Sequence, residues 1–292
     1  MSAAARELGI AQPALSKQML QLEHELDAKL FVRHSRGVSL TRPGEKLRHE
    51  AGELIRRMES IRQSIRSESE NITGKVAIAV ISSLAPPLAT ELYPRLEREF
   101  PGIALHIVDS SSERAGQALL NEEVDLAILP NAASDFPHLG SLPLFEESFY
   151  LLTKATTHPQ LGSIRLSDAA LHPLILPFHT HDLRRRIEEG ARSIGVDLNI
   201  KYETGSINVI DAMVERGHAA SIVPISHWLE RIGAGQVSAQ LVVEPSVTRV
   251  HSICRIAERA LSPAAKAVHD VIVSEVQSLV AAGKLSGKPV LR

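Results

Sequence analysis

Gln12, Ser16, Lys17 and Gln18 are the first residues of this sequence whose types and spacing could do chemistry, and Gln21 continues their row. Positions three and four apart are neighbours on a helix, so these side chains share one polar face. Gln can bond adenine through two hydrogen bonds, Lys can reach guanine, and Ser can bond a base edge or a phosphate. Pro13 suits the first turn of such a helix, where its missing N–H would be unpaired anyway. Arg33 and Arg36 fall at the tip of a strand–turn–strand over 30–40, in reach of phosphate or the minor groove. This is the chemistry of duplex-DNA recognition; the bland alternative is a solvated face on a small amphipathic helix pair.

A second set of residues follows the ends of apolar runs: Ser82 and Ser83, Pro130 and Asn131, Phe178 and His179, then Gly205, Ser206 and Ile207, and finally Pro224. In open α/β sheets, ligands bind beyond the carboxyl ends of strands and near helix N-termini. Hydroxyls and backbone N–H groups there would hold a small anionic metabolite, with His179 touching it and His181 outside. Serines at such places are equally common as N-caps. His179 and His181 stand two apart before a helix, and no motif anchors the third ligand a metal needs, so no metal is expected. The Arg184–Arg186 run reads as a solvated helix face, and Cys254 as a structural residue of an apolar strand. There is no Gly-rich phosphate loop, nucleophile elbow or metal motif. No catalytic residue, enzyme activity or cofactor is expected.

The elements that must position these residues come next. A short helical run over Ala3–Leu8 ends at Gly9, and a second helix from Gln12 carries Leu15, Met19, Leu22 and Leu26 as an apolar stripe. Pro43 opens a long helix to about residue 68. In it Leu47, Ala51, Leu54, Met58, Ile61 and Ile65 form a heptad seam for pairing with another helix. Residues 67–74 are polar and turn-rich, a hinge. Then follow a strand over 75–81, a helix from Pro86 kinked at Pro94, a strand over 103–108, a helix around 117–120 and a strand over 124–129. Successive β-α-β units imply right-handed crossovers and a doubly wound sheet. A crossing near 156–159 leads to a second lobe of the same rhythm. A strand over 250–255 and a helix over 263–279 return to the first, leaving 283–292 as a loose tail. Two such lobes make a hinged cleft.

Of the 292 residues, 44% are apolar but only 3% aromatic, so the core is built mainly from Leu, Ile, Val and Ala. Residues 1–68 carry twelve Lys/Arg against nine Asp/Glu, and the remainder twenty against twenty-five. A basic head on an acidic body fits a modular DNA binder. The single cysteine, Cys254, excludes an internal disulfide and a cysteine metal cluster. With no charged n-region and no run of about eighteen apolar residues, a soluble cytoplasmic protein without membrane contact is expected. That argues against a periplasmic transport role.

Gln12-Pro13-Ala14-Leu15-Ser16-Lys17-Gln18, Leu22-Glu23, Glu25-Leu26, Leu30-Phe31-Val32-Arg33 and Leu40-Thr41-Arg42-Pro43-Gly44 closely resemble the DNA-binding domain of LysR-type transcriptional regulators. The resemblance continues, more weakly, over the whole chain. It implies a winged helix-turn-helix domain over 1–42 and a linker and dimerisation helix over 43–70. It also implies an α/β effector domain over 71–292, similar to the type 2 periplasmic binding proteins. Lobe I of that domain would span 75–157 and 250–282, and lobe II 158–249. The family binds double-stranded DNA as homodimers or homotetramers, answers to a small-molecule effector and works with RNA polymerase. One departure stands out. Family members begin with a further helix, whereas this sequence starts almost inside the second: either its start is assigned too late or it is truncated, and if it is truncated the stripe of Leu15, Met19 and Leu22 lacks a partner. The alternative is therefore a solute- or effector-binding protein, incompetent in DNA binding, that acts through partner regulators.

Overall fold

The computed structural model describes residues 2–7, 9–34, 37–66, 72–155, 162–179 and 181–290, and the chain divides into two units, Met1–Ile65 and Arg66–Arg292. In the first unit α1 (Ser2–Glu7) is closed by Gly9, whose left-handed φ of 66° lets Ile10 N–H reach back to Ala5 O. Then come α2 (Gln12–Glu25), an antiparallel wing of β1 (Phe31–His34) and β2 (Gly37–Leu40), and α3 (Arg42–Arg66). Leu15 is buried on α2 and Met19 and Leu22 are half-buried. Leu26, expected on the same stripe, is the C-cap and stands 46% exposed, because the helix ends before it can turn inward.

Polar side chains fix the wing to both long helices. Buried Glu23 accepts hydrogen bonds from Leu30 N–H at 2.8 Å, Phe31 N–H at 3.2 Å and Lys29 Nζ at 3.0 Å. Thr41 Oγ1 donates to Lys29 O and accepts from Gly44 N–H. Gly44 lies so close to Leu30 that a Cβ would stand 2.1 Å from its carbonyl oxygen. Along α3, Leu47 and Ala51 are half-buried, while Leu54 and Met58 are 68% and 55% exposed, with Ile55 beside them. The side chains of Ile61 and Ile65 lie outside the described residues.

The second unit opens with β3 (Gly74–Ile81), α4 (Ala85–Glu99), β4 (Ile103–Ser110), α5 (Ser112–Leu120), β5 (Leu126–Pro130), α6 (Ala132–Asp135) and β6 (Leu139–Ser148). Lobe II then runs through β7 (Tyr150–Lys154), β8 (Ser163–Arg165), α7 (Leu166–Ala169), β9 (Leu174–Leu176) and α8 (Asp182–Ser193). It continues with β10 (Ile200–Glu203), α9 (Ile207–Glu215), β11 (Ser221–Val223), α10 (Leu229–Gly233) and β12 (Val237–Val243). The chain returns to lobe I with β13 (Thr248–Ile256), α11 (Pro263–Ala281) and β14 (Lys288–Pro289).

Lobe I is a six-stranded sheet in the order β14-β6-β13-β5-β3-β4, parallel among β3, β4 and β5. Side chains alternate across it: Val76, Ile78 and Val80 pack with Leu88 and Leu92 of α4 and Ile272 of α11, while Ala79 packs with Ala115 and Leu119 of α5. α4 continues through Pro94, and α5 starts at Ser112, five residues before the expected segment, because Ser111 caps it. Lobe II carries the sheet β11-β7-β12-β8 and the parallel pair β9-β10, joined through the Leu174–Ala220 bridge. Its core holds Phe149, Leu151, Ile187, Ile222 and Trp228.

The crossing between lobes falls at Phe149 rather than near 157. β7 pairs with β11 and β12, so 150–154 belong to the second sheet; residues 156–161 and most of the expected hinge, 67–71, lie outside the described residues. The return passes Val247, whose carbonyl accepts from Phe149 N–H at 3.0 Å. The segment after Gly283 is not a loose tail. Leu285 is buried, Ser286 N–H donates to Ser226 Oγ of lobe II at 3.0 Å, and β14 pairs with β6. Lys288 Nζ lies 3.0 Å from Glu146, and a Cβ on Gly287 would stand 2.5 Å from Glu146 O. No helix among the described residues is long and apolar enough to cross a membrane.

Candidate functional site

On α2, Gln12, Pro13, Lys17 and Gln18 are exposed and Ser16 is half-buried. Gln12 Nε2 donates to Ser16 Oγ at 3.0 Å, which holds both side chains outward. Leu15 and Glu23 anchor the opposite face, so the polar row stays free of the unit's own packing. Arg33 lies in β1 with its side chain outside the described residues, and Arg36 is wholly outside them.

In the second unit a cavity of about 310 Å³ opens between the lobes. This lies at the small end of the roughly 300–1,000 Å³ typical of ligand sites. Its two walls differ. Lobe I presents hydroxyls at the ends of β3 and β4, from Ser82, Ser83, Ser110, Ser111 and Ser112, with Glu113 and Arg249 beside them. Lobe II presents Phe178, Leu183, Ile207, Ile210, Pro224 and Trp228, interrupted by His181 and His227. Ser82 Oγ donates to Asp109, and His227 Nε2 lies 2.9 Å from Asp211, which also pairs with Arg231.

Behind the lobe I wall sits a buried charge cluster. Arg249 Nε donates to Glu147 Oε1 at 2.6 Å, and His251 Nε2 meets the same oxygen at 2.6 Å. Arg249 Nη2 donates to Ser83 Oγ at 3.4 Å, and its Nη1 is 4.0 Å from Asp182 Oδ2. Burial alone would push the Glu147 carboxyl up, but Arg249 and His251 together hold it down to about 2. Burial holds the His251 imidazole below its ordinary range against the pull of Glu147, and it stacks on Phe145 at 4.8 Å. His181 is also held down, by burial and then by Arg249, and its Nδ1 accepts from Leu183 N–H. Burial pushes the Cys254 thiol up to about 12, away from redox chemistry.

Of the effector residues expected from sequence, Ser82, Ser83, Phe178, Gly205, Ile207 and Pro224 come together around this cavity. Pro130, Asn131, His179 and Ser206 do not line it. Asn131 adopts a left-handed φ of 50°, and its side chain turns to Asp182 and to Val250 N–H, tying the lobes instead. The two histidines exchange places: His181 caps α8 and lines the cavity, while His179 is exposed. Thr180 lies outside the described residues. The Arg184–Arg186 run is no uniform solvated face, since Arg184 is buried on Glu188 and Glu203, and Arg185 pairs with Asp135 across the lobes. Arg249 and Trp228 were missed. The signal for Arg249 was available: Arg249 and His251 stand two apart at the start of a strand, so they share one face and, if that face is buried, must find partners there. Among the described residues no group of three or more His, Cys, Asp or Glu could hold a metal.

A family model described as the LysR substrate binding domain matches residues 69–277, and one described as bacterial regulatory helix-turn-helix protein, lysR family, matches residues 1–45. Among curated relatives, the nitrogen assimilation regulatory protein nac of Klebsiella aerogenes is 29% identical over 277 residues, covering 94% of this chain and 90% of that protein. The HTH-type transcriptional regulator CysB of Burkholderia cenocepacia is 28% identical over 226 residues, covering 76% and 72%. Among solved structures, a full-length OxyR variant from Pseudomonas aeruginosa shares the fold with a TM-score of 0.73 at 24% identity, covering 94% of this chain and 89% of that one. The effector binding domain of QuiR in complex with shikimate matches with a TM-score of 0.62 at 21% identity, covering 70% and 98%.

Proposed function

This chain belongs to the LysR family of bacterial helix-turn-helix regulatory proteins, and on that premise we propose how it works. The α2 face of Gln12, Pro13, Ser16, Lys17 and Gln18 reads the major groove, with Arg33 and Arg36 on phosphate or in the minor groove. A small anionic metabolite between the lobes, held by Ser82, Ser83, Phe178, Gly205 and neighbouring groups, shifts the balance of states through its differential affinity for them. Two copies pair along Leu47, Ala51, Leu54, Met58, Ile61 and Ile65 of α3, in dimers or tetramers that act on RNA polymerase in the cytoplasm. The protein is a regulator and not an enzyme; relatives such as nac and CysB are named as regulators, which supports this. Shikimate in the QuiR domain supports a small-molecule effector. The observation that carries the reading is the polar row of α2, left outward while Leu15 and Glu23 lock the helix from behind.

Fluorescence anisotropy of the chain with its own upstream DNA at two salt concentrations tests it. Sequence-selective binding that weakens steeply with salt is expected. Lys17→Ala should flatten the salt slope by about one if Lys17 neutralises a phosphate, or relax sequence discrimination if it reads a base. Absence of any sequence preference would leave a ligand-binding protein that acts through partner regulators.

A further inference from the structure

We propose that the effector is an amphipathic monocarboxylate, with its one carboxylate on the Arg249 side of the cavity and an aromatic or branched apolar body against Phe178 and Trp228. This rests on the effector-binding reading and deepens it. The two walls divide the ligand's chemistry between them. Five serines and Arg249 line the lobe I side, whereas Phe178, Ile207, Ile210, Pro224 and Trp228 line the lobe II side. Phe178 stands 50% exposed and lines the cavity beside Gly205, whose missing Cβ would stand 3.4 Å from the ring.

The charge count sets the head group. Among the described lining residues Arg249 is the one permanent cation. Its side chain is buried and its Nε is taken by Glu147, while among the described residues its Nη groups make only the long contact to Ser83 and a 4.0 Å approach to Asp182. Those Nη donors, with the serine hydroxyls, suit a single carboxylate, which a guanidinium can bind through two parallel hydrogen bonds. A second negative charge would meet Glu113 on the same wall, Asp109 behind Ser82 and Asp182 behind Arg249. Arg249 already shares its charge with Glu147, so with the hydroxyls it can hold at most one further carboxylate; a second would find no other fixed cation among the described lining residues, and an uncompensated charge out of water is costly. Phosphate esters and di- or tricarboxylates are therefore disfavoured, and an uncharged alcohol offers one acceptor oxygen and no charge where a carboxylate offers two oxygens and a charge.

Isothermal titration calorimetry on the full chain tests this with phenylacetate and 4-methylpentanoate as probes. The comparators are 2-phenylethanol, succinate and inorganic phosphate, and operator binding is followed by anisotropy on the same preparation. At least one monocarboxylate should bind, the alcohol should be weaker by about tenfold or more, and succinate and phosphate should not compete. Phe178→Ala, at a half-exposed position that tolerates truncation, should weaken the bound monocarboxylate by about tenfold. Arg249→Lys should cut affinity for the carboxylate while leaving the alcohol unchanged; where that buried variant does not fold, the Phe178 variant and the comparators still decide. The proposal is overturned if phosphate or succinate binds more tightly than either monocarboxylate, if the alcohol binds equally well, or if neither monocarboxylate binds. Operator binding retained in those cases confines the failure to the ligand class; operator binding absent means the regulator reading has failed.

Discussion

Glu147 is a fully buried carboxylate shared by Arg249, which lines the interlobe cavity, and His251, which does not. Removing it by Glu147→Ala strands a buried guanidinium, so urea unfolding should show a loss of about 3–5 kcal/mol. The same cluster makes stability depend on pH. Glu147 is depressed from 4.5 to about 2, so its contribution is fully present above pH 4.5 and is lost as pH falls towards 2. His251 is also depressed, from 6.5, but as a base that stays neutral in the fold. The unfolded chain then takes up this proton more readily than the folded one, and stability falls as pH drops below 6.5. Thermal melts between about pH 8 and 5 should show a declining Tm, and His251→Gln should flatten that decline; parallel curves for the two proteins would refute the assignment. At this scale the sequence was half legible. The strand-end rule placed Ser82, Ser83 and Gly205 at the cavity, but it ranked His179 over His181, because which side chain caps α8 depends on a local turn and not on residue type.

Between the helices of the first unit, the wing is held by contacts rather than by area. Gly44 is the tightest of them, with Leu30 O where its Cβ would be. Gly44→Ala must push α3 away from the wing and should destabilise this unit by about 1–3 kcal/mol. Circular-dichroism melts would show this as an earlier first transition, with the second unit's transition unmoved. The elements themselves were readable: helix–turn–helix, wing, heptad helix and the β-α-β rhythm all follow from periodicity and from Gly and Pro positions. What periodicity could not supply was partner choice. β7 reads as a strand in either lobe, and only its pairing with β11 and β12 assigns it to the second. Likewise Leu26 fits the stripe by spacing yet lies one residue past the helix, where spacing no longer governs direction.

At the scale of the second unit, the two lobes are joined by more than their two crossings. The segment 284–290 leaves α11, touches lobe II at Ser226 beside the cavity residues His227 and Trp228, and ends as an edge strand paired with Phe145 and Glu146 of β6. Deleting residues 284–292 exposes the pocket of Leu285 and should lower the Tm of this unit by about 3–10 °C. An unchanged melt would mean that the strap carries no stability. The sequence showed this stretch as short, polar and Gly-punctuated, which hides a strand of two residues. The strand order of lobe I has a further consequence, one of timing. β13 lies between β6 and β5, yet the whole of lobe II separates it from both in the chain. While the chain is being made, lobe II emerges whole and can fold on its own strands. The earlier half of lobe I must meanwhile wait with two open sheet edges, since nothing synthesised before residue 248 can fill the gap. A ribosome that stops early therefore releases a finished inner lobe and an outer one with exposed edges, the kind of surface on which chains aggregate.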